Sequence, residues 1–299
     1  MHIKQLLENF CNYSKFIKGL SDSTIKRYSE NITNFINLSN INYFHELNEQ
    51  KVLAFFFKGR VEKKWKATTY RTYYMTLVVF FDWAVTNSHL EKNYVKGIDL
   101  PKIPKSLPKN LSKQQTNTIL ETAINYPYSH RFLRYRSHAI LATFVYAGIR
   151  KDELFKLTLD DVDIENRTLF INGKGDKQRI VPISFNLSQI LTRYLIERSK
   201  LKKTCPAFFA SFRLNKAYTD SGLRREVRLI RESSGIYFRP HVLRHTFATL
   251  MLEGGCDIFS LSKMMGHSDI KTTTLYLSAS AEHLRGALSK HPLERNDSY

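Results

Sequence analysis

A proline- and lysine-rich segment is the feature that most constrains how this chain can fold. Residues 97–110 hold three prolines and three lysines. Proline fixes φ and removes a backbone donor, so such a run favours an extended chain over a helix. In a chain of 299 residues, each side of the break is long enough for a core of its own. The sequence therefore predicts two domains, 1–96 and 111–299, joined by a linker at 97–110.

The first domain is predicted to be a small bundle of four helices. Apolar residues from Ile3 to Ile17 recur at steps of three and four, as they do on one helical face. A cap-rich Ser-Asp-Ser-Thr opens a second helix at 21–38, and further periodic runs follow near 46–59 and 68–86. Four helices in about 90 residues are typical of a bundle.

The second domain is predicted to be mixed. Helices are expected from Ser112, over 129–146 and over 150–156, and most of the chain after Asn186 has a helical pattern. Two β-branched runs, 168–172 and 178–183, flank Gly-Lys-Gly-Asp, which indicates an antiparallel hairpin. The fold class is therefore mainly α, with an α+β second domain that carries a small antiparallel sheet.

The charge balance narrows the classes of molecule that the chain can bind. Lys and Arg total 46 against 27 Asp and Glu, a net charge of +19 that favours polyanions such as nucleic acid or an anionic membrane. No apolar run approaches the roughly 20 residues that span a bilayer, and no signal peptide is visible. We expect a cytoplasmic, nucleoid-associated protein with no membrane partner. Three widely spaced cysteines predict free thiols, and neither they nor the histidines predict a metal or cofactor.

Four short motifs in the second domain carry candidate chemistry. Arg150 begins a helix after Gly148, where a guanidinium can bind phosphate, although an ordinary helix-start arginine paired with Glu153 is the alternative. Lys174 lies between two glycines at the hairpin tip, which lets a lysine approach a partner closely; a solvated basic turn is the alternative.

The other two motifs lie near the C-terminus. His241 and Arg244 are three residues apart and share a helical face with His245, which we interpret as a hydrogen-bonded core histidine. His267 follows a glycine that ends a helix, and Tyr276 comes nine residues later. Taken singly, His267 is better explained as a helix-end histidine without a function.

Taken in order, the motifs Arg, Gly-Lys-Gly, His-x-x-Arg-His, Gly-His and Tyr strongly resemble the tyrosine recombinase (phage integrase) family. The resemblance covers the whole second domain, and the first domain resembles that family's helical, SAM-like core-binding domain. The length of the chain is most similar to that of the Xer branch. Xer proteins usually have Asp at the position of Val242 and often have Thr-His at the positions of Leu277-Ser278. These departures weaken an assignment to the housekeeping Xer subgroup.

The resemblance implies a site-specific DNA recombinase that works without metal, cofactor or ATP through a 3′-phosphotyrosine. Two arginines clamp the scissile phosphate, a lysine protonates the leaving 5′ oxygen, two histidines complete the pocket and a tyrosine is the nucleophile. An acidic residue orients the pocket. Of the two histidines, the one three residues before the second arginine, His241, assists proton transfer at the tyrosine. The matching positions are Arg150, Arg244, Lys174, His241, His267, Tyr276 and Glu153.

DNA contacts are predicted from basic residues near the second and fourth helices, at the hairpin and on one helical face near 224–228, where a merely solvated basic helix is the alternative. These residues are Lys26, Arg27, Lys64, Lys66, Thr68, Arg71, Lys177, Arg179, Arg224, Arg225 and Arg228.

The implied partners are double-stranded DNA with a specific target site and further copies of the chain, as a tetramer on two DNA sites. A second recombinase and a septal DNA translocase are additional candidates. Two roles stay open, Xer-like dimer resolution and integration or excision of a mobile element. The competing readings are an accessory DNA-binding protein, a type IB topoisomerase-like nicking enzyme and a basic RNA-binding protein.

Overall fold

The computed structural model describes residues 2–103, 109–173, 178–267, 269 and 271–277. The chain forms two compact units, Met1–Lys105 and Ser106–Tyr299, whose boundary lies inside the segment predicted to be a linker. The architecture is mainly helical with a small antiparallel sheet, which confirms the predicted fold class. No helix in the described part of the chain is long and apolar enough to cross a membrane.

Within its described residues, the first unit contains four α-helices around an aromatic core. They are α1 (Ile3–Asn12), α2 (Asp22–Leu38), α3 (Glu49–Val61) and α4 (Ala67–Thr86). Phenylalanines from all four helices meet in this core and pack edge to face, as Phe10 does with Phe80 and Phe35 with Phe55. Such pairs are stabilising beyond the area that they bury.

A π-helical turn changes the face that the first helix presents. The chain continues from α1 into a π turn at Tyr13–Ile17, which places one more residue in the turn than an α-helix has. Ser14 is buried as a result, while Phe16 and Ile17 are 71% and 72% exposed. The prediction that Ile17 shares the buried face of Ile3 is therefore wrong, because the wider turn rotates it away.

The second unit contains eight helices and three strands within its described residues. The helices are α5 (Lys113–Asn125), α6 (Arg131–Ala147), α7 (Lys151–Lys156), α8 (Phe185–Ser199), α9 (Asp220–Ser234), α10 (Pro240–Glu253), α11 (Ile258–Met265) and α12 (Lys271–Leu277). The strands are β1 (Val162–Asp163), β2 (Thr168–Asn172) and β3 (Gln178–Pro182).

The predicted hairpin is present and gains a short third strand. The order β1-β2-β3 is antiparallel throughout, and β2 pairs with β3 in a register that sets Leu169 opposite Val181. Those two side chains and Ile171 are buried, while Phe170 and Ile180 on the other face are exposed. The tip that carries Lys174 and Lys177 lies outside the described residues.

Helix α6 is the centre of the second unit, and a glycine ends it. Residues 139–145 are buried on every side, and α6 contacts α5, α8 and α10. Gly148 ends the helix with a φ of +58°, and a Cβ there would lie 2.1 Å from Cδ1 of Phe247 in α10. Only glycine combines this left-handed backbone with so close an approach.

The chain between α8 and α9 is irregular, although its pattern predicted helix. Residues 200–219 form turns and isolated bridges, among them Thr158 with Ala207 and Ala210 with Ala217. Tyr194 in α8 anchors the segment: its hydroxyl donates to the carbonyl of Phe208 and accepts from the amide of Ala210. These long-range bonds satisfy backbone groups that a helix would have paired locally.

Candidate active site

A cavity of about 420 Å³ in the second unit brings most of the predicted residues together. Five of the six candidate catalytic residues line it; the sixth, Lys174, lies outside the described residues. The described lining residues include no Asp or Glu, so the cavity suits an anion. The lining consists of Arg150, His241, Arg244, His267 and Tyr276, together with Ile149, Lys151, Pro240, His245 and Thr272.

Arg150 is held at the start of α7 by Glu153. Its backbone amide donates to Oε2 of Glu153 at 2.7 Å, and its Nη1 donates to Oε1 at 2.9 Å. Nη2 donates to the carbonyl of Gly266 at 2.8 Å, which ties α7 to the end of α11. Each terminal nitrogen has two N–H groups, so each keeps one N–H for another acceptor. The side chain is 41% exposed, which leaves it accessible to a phosphate.

Glu153 pairs with a second arginine, and this corrects one sequence prediction. Arg179 of β3 donates to both oxygens of Glu153 at 2.8 Å and, through Nε, to the carbonyl of Met264. Its side chain is only 12% exposed. Arg179 is therefore not presented to DNA as predicted, because its guanidinium is occupied in fixing Glu153 and joining the hairpin strand to α11.

Burial raises the pKa of Glu153, but hydrogen bonds from Arg179 and Arg150 outweigh burial and lower that pKa to about 2. Glu153 is consequently a carboxylate at neutral pH. The predicted role of orienting the pocket is consistent with this geometry.

Arg244 is the buried arginine of the cavity. Its Nη1 donates to the carbonyl of Gly148 at 2.5 Å, and its Nη2 donates to Met265 O at 2.6 Å and lies 3.2 Å from Nε2 of His267. Burial, and then Arg150, lowers its pKa to about 10, so the guanidinium is still cationic at neutral pH. The backbone of Gly148 is left-handed, and in this conformation its carbonyl points toward Arg244.

His267 is fixed between a donor and an acceptor. Because Arg244 can only donate, Nε2 of His267 accepts, and Nδ1 then carries the proton and donates to Oγ1 of Thr273 at 2.8 Å. Burial, and then Arg244, lowers the pKa of His267 to about 4, so the ring is neutral. Thr273 is fully buried and was missed by sequence reasoning, since a threonine six residues along gives no recognisable signal.

Tyr276 is 3% exposed, and its hydroxyl lies 2.7 Å from Nδ1 of His245. This contact changes two sequence interpretations. His245 is not merely a core histidine, because it lines the cavity, and the histidine on the tyrosine hydroxyl is His245 rather than His241. His241 is exposed, and its ring lies edge-on to His245 with centroids 5.9 Å apart.

A basic groove of about 980 Å³ adjoins the cavity and shares Lys151, Pro240 and His241 with it. Three predicted DNA-binding residues of α9 line this groove, and Arg231 and Arg239 extend it. Asp220 at the start of α9 binds both Lys151, at 2.7 Å, and Arg224. The three predicted residues are Arg224, Arg225 and Arg228.

Most of the predicted DNA contacts of the first unit are on its surface. Arg71 is the exception: it is half-buried and its Nε donates to the carbonyl of Pro101 at 3.2 Å. The guanidinium of Arg27 covers the ring of Tyr28 at 5.7 Å. The exposed members are Lys26, Arg27, Lys64, Lys66 and Thr68.

Comparison with known proteins places this site in a class. Residues 109–283 match the phage integrase family, and residues 6–89 match the N-terminal SAM-like domain of phage integrases. The chain therefore belongs to the phage integrase family, the tyrosine recombinases. Its activity is site-specific recombination of DNA.

Among its relatives are Xer recombinases. The chain is 30% identical to tyrosine recombinase XerC of Thermodesulfovibrio yellowstonii over 299 residues, with 97% of each chain covered. It is equally identical to XerC of Escherichia coli O157:H7 over 292 residues, with 96% of each covered.

Solved structures of recombinases share the fold. The crystal structure of XerA recombinase, 26% identical, has a TM-score of 0.54 over 96% of this chain and 98% of that one. XerH bound to palindromic difH substrate, 24% identical, has a TM-score of 0.72 over 95% of this chain and 83% of that one. The Tn1549 transposon integrase in complex with transposon right end DNA, 18% identical, reaches 0.74 over 97% and 99%.

Proposed function

We propose that the chain cuts and rejoins DNA through a 3′-phosphotyrosine formed on Tyr276. The oxygen of Tyr276 attacks a backbone phosphorus, a P–O bond forms, and the bond to the 5′ oxygen breaks. A 5′ hydroxyl from another strand then reverses these steps. The observation that carries the proposal is that the Tyr276 hydroxyl lies in one cavity with Arg150, Arg244 and His267.

The two arginines are proposed to clamp the scissile phosphate. Charge builds on the non-bridging oxygens in the transition state, and preorganised donors there are typically worth several kcal/mol. Arg150 offers its remaining N–H groups, while Arg244 is held rigid by Gly148 and Met265. Since the phosphodiester energy is kept in the tyrosine link, the reaction is proposed to need no ATP. The cationic clamp is proposed to replace a metal ion.

Lys174 is proposed to protonate the leaving 5′ oxygen, because an alkoxide is a poor leaving group. The proposal rests on the family position of this lysine at the tip between β2 and β3. Strand β3 is joined to the cavity through the contact of Arg179 with Glu153, which supports a role at the scissile phosphate for the lysine between β2 and β3.

Both units are proposed to bind one DNA duplex. Residues 1–96 would act as the core-binding domain, 97–110 as the linker and 111–299 as the catalytic domain. Exposed lysines of the first unit and the arginine-lined groove beside the cavity supply the charge for this contact. A tetramer on two DNA sites, in the cytoplasm and on the nucleoid, is proposed because exchange of both strands of two duplexes needs four nucleophiles.

For the biological role we propose Xer-like dimer resolution. Its support is the match to XerC recombinases over 97% of both chains. A second recombinase and a septal DNA translocase are the partners that this role would call for. Integration or excision of a mobile element is the alternative role.

The test begins with selection of the target site from a random duplex library, using the Tyr276→Phe protein so that DNA is bound but not cut. The selected site is then built into a duplex with a nick beside the scissile phosphate, which traps the cleaved state. We expect wild-type protein to form a covalent adduct on a denaturing gel and Tyr276→Phe to form none.

An adduct that persists in Tyr276→Phe would assign the nucleophile to another residue. Tight binding with no adduct would favour the accessory-factor role. An adduct with relaxation of supercoiled DNA but no exchanged product would favour the topoisomerase-like enzyme.

A further inference from the structure

We propose that His245 is a catalytic residue, the base that takes the phenolic proton of Tyr276 when the tyrosine attacks DNA. The inference rests on the proposed phosphotyrosine chemistry and names a residue that the family motif did not assign to it. It starts from the 2.7 Å separation between Nδ1 of His245 and the Tyr276 hydroxyl.

Geometry favours proton transfer at this contact. A 2.7 Å separation is a short hydrogen bond, within the reach that a general base needs. Tyr276 is 3% exposed, so bulk water has little access to its hydroxyl. His245 is carried by α10, a regular helix, and is next in sequence to the buried Arg244, which holds the base at a fixed distance from the phosphate clamp.

The surroundings keep the ring of His245 uncharged. Burial, then electrostatic repulsion from His241 and Arg244, lowers the pKa of His245 below its ordinary value of 6.5. The ring is therefore neutral at physiological pH, and in the tautomer that carries its proton on Nε2 the lone pair of Nδ1 accepts the phenolic hydrogen. The titratable and charged groups that share the cavity with His245 are Arg150, Lys151, His241, Arg244, His267 and Tyr276.

Tyr276 needs such a base. Burial raises the pKa of its phenol above the ordinary 10, and Arg244 and Arg150 offset this only in part. The phenol is consequently un-ionised at neutral pH. As the bond from the Tyr276 oxygen to phosphorus forms, its proton moves to Nδ1 of His245, and the bond from phosphorus to the 5′ oxygen breaks with protonation by Lys174. In the rejoining half the imidazolium returns the proton to the phenol.

The other two histidines are less well placed for this step. Both ring nitrogens of His267 are engaged, Nδ1 with Thr273 and Nε2 with Arg244. His241 is exposed at the mouth of the cavity and lies edge-on to His245, with centroids 5.9 Å apart. That position suits a contact with the phosphate rather than with the phenol.

The experiment measures single-turnover cleavage of the nicked duplex from pH 6 to pH 10 for wild type, His245→Asn and His245→Ala. Asparagine can keep a hydrogen bond to Tyr276 but cannot take its proton. We expect both variants to be slower by about 10²–10⁴-fold at pH 7. Their rates should then rise about tenfold per pH unit up to pH 10, because the tyrosine must ionise on its own and its pKa lies above 10, and the deficit relative to wild type should shrink with each unit.

A second substrate separates the base from the acid. In a duplex with sulfur replacing the bridging 5′ oxygen, the leaving thiolate needs no proton. We expect this substrate to restore Lys174→Ala but not His245→Asn. Thermal melting of each variant by circular dichroism checks folding, and His245→Gln replaces any variant that does not fold.

Three results would overturn the assignment. One is a His245→Asn rate within about threefold of wild type at pH 7, whatever the rate of His245→Ala. The others are a deficit that alkaline pH does not reduce and a deficit that the sulfur substrate removes. In each case wild type still forms an adduct that Tyr276→Phe lacks. If that adduct is missing or persists in Tyr276→Phe, the phosphotyrosine proposal itself fails, and the role of His245 fails with it.

Discussion

Replacing Glu153 by glutamine isolates the electrostatic support of the cavity. The two side chains have nearly the same shape, but glutamine has no charge and turns one acceptor into a donor. Both oxygens of Glu153 accept from Arg179, and both also accept from Arg150. In Glu153→Gln, an NH2 group therefore faces a guanidinium, and the nearly buried Arg179 loses its counter-ion.

The magnitude follows from the pKa of the carboxyl group. A carboxyl whose pKa falls from 4.5 to about 2 contributes roughly 3 kcal/mol of stability at neutral pH. Water screens part of this, because the Arg150 side chain is 41% exposed, so we expect a loss of about 2 kcal/mol in Glu153→Gln. The folded-state pKa is depressed, so the contribution is complete above pH 4.5 and fades toward pH 2.

Urea unfolding of the full chain at pH 7 and at pH 3 provides the assay. Both tryptophans, Trp65 and Trp83, lie in the first unit, so their fluorescence reports that unit, while far-ultraviolet circular dichroism reports both. We expect Glu153→Gln to shift the dichroism transition and to leave the fluorescence transition in place. Glu232→Gln is the matched control, because Glu232 pairs only on the surface, 4.0 Å from Arg228.

The reasoning is refuted if Glu153→Gln costs less than about 0.5 kcal/mol at pH 7, the scale of an exposed pair. It is refuted equally if the cost at pH 3 is as large as at pH 7, since the carboxylate contribution should by then have fallen to less than half.

Three further outcomes are expected. In thermal melts, the second unit should unfold at a lower temperature in Gly148→Ala than in Gly235→Ala. The free energy of unfolding should differ by more than about 1 kcal/mol, because both glycines have positive φ but only a Cβ at position 148 clashes with a neighbour. Thr273→Val should slow cleavage by freeing the ring of His267, and Thr273→Ser should restore it. Arg225→Ala should reduce the slope of log binding constant against log salt by about 0.9 if it contacts one phosphate.

The sequence by itself determined the class of this protein and most of its elements. Hydrophobic periodicity and turn residues are local signals, so the first-unit helices and the β2–β3 hairpin could be placed from them. The order of the catalytic motifs is also written in the chain, and it led to the family that the comparisons show. Local signals failed at Tyr13–Ile17, where the helix widens into a π turn, and at 200–219, where long-range hydrogen bonds replaced helical ones.

Only the tertiary structure decided which side chains meet. Spacing places His241 and His245 on one side of a helix, but the packing of α12, about 30 residues later, selects His245 for Tyr276. Spacing likewise predicted that Arg179 contacts DNA, whereas in the folded chain its guanidinium pairs with Glu153. Periodicity specifies a face of an element, and a hydrogen bond depends on how two distant elements are packed. For that physical reason the class is readable from the chain and the partners within the cavity are not.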